Sequence, residues 1–149
     1  MTERQFAMIA FLGCCCCLAV LPAMAADGDI YRCVVADFNA FSPTSSKDTA
    51  FEMLNRNKTF DVFELRNKFT VVSNSNSKAF TSDSTDYDTI GDDVLGARAI
   101  AKSSISIDTF ILGRSGQEVD ANRYEATITT QSSDYVNTWF LTCIGVKRS

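Results

Sequence analysis

Within Arg123 to Gln131 polar and apolar side chains alternate as far as Thr129, with Tyr124, Ala126 and Ile128 standing against Glu125, Thr127 and Thr129. A period of two belongs to a strand with one face in a core. After Ser132-Ser133-Asp134 a second run, Tyr135 to Val146, follows, and the two together predict a hairpin. This second run is apolar on both faces, with Tyr135, Trp139, Leu141 and Cys143 on one and Val136, Phe140, Ile144 and Val146 on the other. Such a pattern predicts a strand covered on both sides, or one whose outer face packs on a helix.

Upstream, Ile30 to Phe38 is β-branched and aromatic and predicts a first strand, with Tyr31, Cys33 and Val35 on one face and Arg32 on the other. In Thr59 to Ser73, Phe63, Leu65, Phe69 and Val71 fall in phase, and a turn at Arg66-Asn67-Lys68 makes the stretch a hairpin, since Asn tolerates left-handed backbone. Ala97 to Lys102 leads into Ser104 to Leu112, where Ile105, Ile107 and Ile111 alternate with Ser106 and Asp108 and predict a half-buried strand. Gly113 to Asn122 reads as a turn. Between Asn74 and Asp93 the chain is rich in Ser, Thr, Asn and Asp, with Ala79, Phe80, Tyr87 and Ile90 isolated among them, and predicts a surface loop with at most a short edge strand. One short helix is expected over Asp48 to Asn55, with Phe51 and Leu54 as its buried stripe.

The first residues follow another logic. Met1 to Gln5 precede an apolar run from Phe6 to Leu21, then Pro22 and Ala23-Met24-Ala25-Ala26, the layout of a secretory signal peptide cut after Ala25. The run falls short of the roughly 20 residues of a spanning helix, so no stable membrane span is expected after cleavage. Cys14 to Cys17 lie inside it, as apolar filler or as a site of lipid attachment, although Phe11-Leu12-Gly13 makes a poor lipoprotein cleavage signal. Removing residues 1–25 from the 149 leaves 124, the size of one domain with one core, expected in a secreted or periplasmic setting.

Four of the six cysteines thus belong to the leader, and Cys33 and Cys143 remain. In an oxidising compartment they predict a disulfide closing a loop of about 110 residues. Bonded cysteines hold their alpha carbons within about 7 Å, so first and last strands must be neighbours. An antiparallel meander with an even number of strands meets that condition by closing on itself. The expected fold class is therefore mainly β: a small antiparallel β-barrel or strongly curved sheet with one short helix, its first and last strands disulfide-linked.

Composition removes more chemistry than it suggests. With no histidine, Ser-His-Asp and Cys-His mechanisms are excluded, and bridged cysteines leave neither thiol nucleophile nor zinc thiolate. A net charge of −4 argues against nucleic acid as partner. No phosphate-binding loop or dinucleotide fingerprint occurs, and no cofactor is expected. Asp83, Asp86, Asp88, Asp92 and Asp93 crowd one stretch, but Asp86 to Gly91 misses EF-hand spacing and lacks its closing Glu, so a solvated acidic loop is the expectation. Glu64 beside one of these aspartates would be the raw material of a carboxylate dyad, and Lys102-Ser103-Ser104 of a Ser/Lys hydrolase, although neither arrangement is aligned by the sequence. Arg56, Lys58, Arg66 and Lys68 suggest a basic patch or simply soluble edges, and Asn57-Lys58-Thr59 is a glycosylation sequon only on a eukaryotic secretory route.

Tyr31-x-Cys33 opening the domain and Trp139-x-x-x-Cys143 closing it are similar in plan to small periplasmic barrels such as the lysozyme inhibitors. Their Ser-Gly-x-x-Tyr loop has no counterpart, Gly96-Ala97-Arg98-Ala99 being no substitute, so the likeness is one of architecture alone. The functional expectation is a small exported binding protein without catalysis, an inhibitor-like or protein-binding module of the cell envelope that presents a loop over 74–93. The alternative is a lipocalin-like carrier of a small apolar ligand, with Phe63, Phe69, Ile107, Tyr124 and Trp139 lining its cavity. A histidine-free hydrolase is the third class.

Overall fold

A computed structural model describes residues 28–42, 48–75, 82–113 and 122–146. The leader assigned to residues 1–25, with Cys14 to Cys17, lies outside the described residues, as does most of the turn expected after Gly113. Eight strands follow in order: β1 (Ile30–Phe41), β2 (Lys58–Leu65), β3 (Lys68–Ser75), β4 (Asp83–Asp93), β5 (Gly96–Lys102), β6 (Ser106–Gly113), β7 (Arg123–Ser132) and β8 (Val136–Val146). Each pairs antiparallel with the next, and β8 pairs with β1, so the sheet closes as an up-and-down barrel. Cys33 and Cys143 face each other across that closing ladder and are disulfide-bonded. No described helix is long and apolar enough to cross a membrane.

The one helix, α1 (Thr49–Arg56), sits between β1 and β2. Asp48 caps it, its carboxylate accepting from the amides of Ala50 (2.9 Å) and Phe51 (3.2 Å). Its buried residue is Asn55, whose amide donates to the Phe51 carbonyl, while Phe51 rests edge-on against Phe38 and Leu54 is half-buried. Arg56 fastens the helix to β1 by donating to the Asp37 carboxylate and the Phe38 carbonyl. The helix packs on β1, so it does not cover the outer face of β8, and Phe140 and Ile144 stay exposed.

Two faces differ from those the periodicity suggests. The β2–β3 hairpin does turn at Arg66-Asn67, but a two-residue turn pairs Leu65 with Lys68 and Glu64 with Phe69. Directly paired residues share a face, so the inward parity changes across the turn. Phe60, Val62 and Glu64 point inward with Phe69 and Val71, while Phe63 is half-buried and Leu65 exposed on the outside. In β6 the isoleucine face is the outer one: Ile107 and Ile111 are 48% and 46% exposed, and Phe110 and Leu112 are buried. Phe110 lies opposite Ala99 and Leu112 opposite Ala97, both on β5, and these small residues give the two large side chains their space.

The stretch over 74–93 is corrected most. Its second half is β4, paired on both edges, and only residues 76–81 fall outside the described part. A strand hydrogen-bonded on both sides needs little apolar content of its own, and Tyr87 is its one buried side chain. A bulge between Thr89 and Gly91 leaves Ile90 on the surface.

The barrel's middle is filled. Phe69 on β3 meets Phe110 on β6 at 5.1 Å between ring centroids, across strands that are not neighbours, and Tyr87 lies 5.9 Å from Phe110. Nearer the two ends, Tyr31 packs on Tyr124, and Trp139 on Phe38 and Phe60. An eight-stranded barrel is just wide enough for side chains to fill it.

Gly96 closes the β4–β5 turn with φ +147°, and a Cβ there would lie 2.2 Å from the Leu112 carbonyl oxygen. Gly96→Ala is expected to lower stability by about 1–3 kcal/mol, read as a shifted denaturant midpoint with an unchanged slope.

Candidate functional site

The barrel has two unlike ends. At one, the helix end, α1 enters and the inward side chains become polar. Register places Ala101, Asp108, Thr130, Asn137 and Ala40 on one level across β5, β6, β7, β8 and β1. The level beneath is Ala99, Phe110, Ile128, Trp139 and Phe38, an aromatic and aliphatic floor. From β2, on the other side of β1, Lys58 sets its ammonium over the Trp139 ring, 5.3 Å from the centroid. Burial lowers the Lys58 pKa, and the nearby Asp83 carboxylate opposes that shift.

Two atoms here break the usual accounting. Trp139 is 8% exposed, and its indole Nε1 has no hydrogen-bond partner among the described residues. The same holds for Asp108 Oδ1, whose sister oxygen accepts a 3.4 Å bond from the Ser106 hydroxyl. An unpaired buried donor or acceptor costs about 1–3 kcal/mol, so each marks a place where a partner group would be stabilising.

At the other end, the turn end, Glu64 is buried and accepts from the Tyr31 hydroxyl at 2.9 Å. Burial first, then the Glu64 carboxylate, hold the Tyr31 phenol well above the ordinary tyrosine range. Tyr87 is raised too, by burial first and then by Asp108 and Asp83. A phenol whose folded pKa lies above the unfolded value of 10.0 contributes stability that is complete below that pH and is lost as pH rises beyond it. Alkaline titration followed by phenolate absorbance and circular dichroism together is expected to show part of the phenolate signal appearing only with unfolding.

The turn end also carries an apolar tip. Val94 and Leu95, each 69% exposed, form the two-residue turn between β4 and β5, with Ile90 exposed nearby. The turn is held by its flanks: Asp93 accepts from the Leu95 amide at 2.9 Å and pairs with Arg98, and Gly96 takes the positive φ. Folding therefore does not dictate that Val94 and Leu95 be apolar, and polar residues are the rule in such turns.

The other residues singled out in the sequence are dispersed. Of the five aspartates on β4, Asp86 is tied to Lys68 and Thr70 on the outer face, Asp93 belongs to the turn, and no metal-holding group of three forms among the described residues. Ser103 accepts from the amides of Ile105 and Ser106 and so builds the β5–β6 turn, apart from Lys102 chemistry. Arg56 and Lys58 lie at one end of the β2–β3 hairpin and Arg66 and Lys68 at the other, about 23 Å apart at the rise of an extended strand. Of the expected cavity lining, Phe69, Tyr124 and Trp139 face inward, whereas Phe63 and Ile107 face out. Comparison with protein-family models, curated proteins and solved structures finds no match.

Proposed function

We propose that the protein is a small exported binding protein of the secreted or periplasmic space, a protein-binding or inhibitor-like module without catalytic machinery of its own. In this reading it engages a cell-envelope protein through the β4–β5 tip. The observation that carries this is the exposure of Val94 and Leu95 in a turn whose geometry Asp93 and Gly96 already secure. Exposed aliphatics at a rigid protrusion favour burial in a partner's recess. Asp92 beside them and the net charge of −4 favour a basic rim around that recess. The disulfide fits an oxidising compartment. The carrier reading is weaker, because ring contacts across the lumen occupy the volume an apolar ligand would take.

The test places a photo-crosslinking residue at Leu95 in the exporting cell and identifies the captured protein. Its affinity is then measured in purified form for the parent and for Val94→Ser/Leu95→Ser. A weakening of about tenfold or more at unchanged melting temperature is expected. Equal affinity for the two proteins, or one apolar ligand held per barrel with no protein captured, overturns the reading.

A further inference from the structure

The last strand carries large apolar residues on both faces, yet α1 packs on β1 and leaves the outer face of β8 bare. Val34 (56% exposed), Phe140 (41%) and Ile144 (57%) form one patch on this wall, because Val34 lies opposite Thr142, midway between the two large side chains of β8. Charges on β1 bracket the patch. Arg32 is level with Ile144 toward the turn end, and Asp37 is level with Phe140 toward the helix end. Arg123 on β7, also level with Ile144, adds to the basic side. Both bracketing charges have capacity to spare. The Arg32 side chain is 76% exposed and makes only a 3.8 Å contact with Asp61. Asp37 takes its two hydrogen bonds, from Arg56 and from the Phe38 amide, on Oδ1, and Oδ2 accepts none among the described residues. An apolar centre with opposite charges at equal distances on either side is complementary to itself turned end for end.

We propose that this β1–β8 wall is the contact between two copies of the chain, related by a two-fold axis that crosses the strands at the level of Val34 and Thr142. Such an axis lays β1 antiparallel on β1 of the second copy and β8 on its β8. Val34 then meets its own counterpart, Ile144 meets Phe140 on either side of it, and each Arg32 reaches the Asp37 carboxylate of the other copy. An axis along the strands fails, because it sets Arg32 against Ile144 and Asp37 against Phe140, charge upon apolar surface. Glu125 on β7 is level with Thr142 and is brought toward its own copy by the crossing axis. The wall of an eight-stranded barrel turns by about 45° per strand, however, and this carries β7 out of the contact. An interface two strands wide belongs to the weak class below roughly 1,200 Å², so a dissociation constant on the order of 10–100 µM is expected. In the barrel order β4 and β5 stand four strands from β8 and β1, on the opposite wall, so the β4–β5 tip of each copy stays uncovered. The pairing is therefore independent of what the tip binds.

Sedimentation velocity of the purified, disulfide-intact protein from about 1 µM to about 1 mM is expected to show a monomer passing to a dimer. Phe140→Thr/Ile144→Thr and, separately, Arg32→Glu are each expected to weaken self-association about tenfold or more, with the melting temperature of the dilute protein unchanged. Ile107→Thr, on the outer face of β6 and away from the patch, leaves association as it was. The register has its own readout: Val34→Cys lies on the axis and is expected to form a disulfide between copies under mild oxidation, whereas Ile107→Cys does not. A protein that stays monomeric to about 1 mM overturns the proposal. So does association that Phe140→Thr/Ile144→Thr or Arg32→Glu leaves unchanged, since the copies then meet elsewhere, and so does a dimer in which Val34→Cys bridges no faster than Ile107→Cys. In the exporting cell, a photo-crosslinking residue at Ile144 is expected to join two copies, and capture of a different protein alone gives the face to that partner and overturns the pairing. Should the double substitution unfold the protein, Arg32→Glu and Val34→Cys decide the matter in the same way.

Discussion

The double substitution Cys33→Ala/Cys143→Ala is expected to lower stability by about 3–5 kcal/mol, and with it the melting temperature by on the order of 10–20 °C. The bridge spans 110 residues of sequence, so in the unfolded chain it ties down almost the whole described domain. A loop of that length is where chain-entropy stabilisation is largest. In the folded barrel the same two residues are already opposite each other in the β1–β8 ladder, which continues from Ile30 paired with Val146 to Phe41 paired with Val136. The barrel is therefore expected to close without the sulfur link, with unchanged far-ultraviolet circular dichroism and a lower transition. Reduction of the parent protein is expected to reproduce the same shift. An unfolded double variant would mean that the ladder cannot close the sheet alone, and an unshifted melt would mean that the unfolded ends already stay together.

The pairing of the termini was legible because it rested on a count of two cysteines and on distance, neither of which depends on knowing any face. The strands from Arg123 to Val146 were legible because β7 has one face clearly more apolar and a polar turn separates it from a long apolar run, although both faces of that run are apolar. The errors share a cause. In β2 and β6 both faces carry large apolar residues, and then periodicity identifies a strand without identifying its inside. Across Arg66-Asn67 the phase had to be carried through a turn, and a two-residue turn reverses it. For β6, the deciding information lies on other strands: Ala97, Ala99 and Ala126 are the small neighbours that make room for Phe110 and Leu112. The strand β4 was hidden because pairing on both edges supplies what its own sequence lacks.

The candidate sites were less legible for related reasons. Asp108 looked like an outward residue as long as the isoleucines of β6 were taken as the inner face. Once Phe110 and Leu112 are inside, the carboxylate two residues before them must be inside as well. A charged residue in phase with Phe110 and Leu112 was a signal present in the sequence. Trp139 was expected to face inward, but the want of a partner for its N–H belongs to three dimensions. Val94-Leu95 sits between Asp93 and Gly96, a turn signature enclosing two aliphatics, and that mismatch was readable from four residues.

The contrast between adjacent residues on β6 gives the second large effect. Phe110→Ala is expected to destabilise the barrel by about 3–5 kcal/mol, whereas Ile111→Ala changes stability by no more than about 0.5 kcal/mol. Phe110 is wholly buried and touches Phe69 on β3 and Tyr87 on β4, strands that do not pair with β6, so its removal opens a void that no single neighbour can fill. The small residues beside it, Ala99 on β5 in particular, cannot grow to compensate, and the closed ladder resists collapse. Ile111 projects from the same strand to the opposite side, half exposed between Arg98 and Thr127. Equilibrium urea unfolding of the two variants, read by Trp139 emission, separates these outcomes. A large loss for Ile111→Ala with a small one for Phe110→Ala would reverse the faces of β6, and with them the inward placement of Asp108. A small loss for both would mean a hollow interior, and the carrier reading would then regain the ground that the crossing rings take from it.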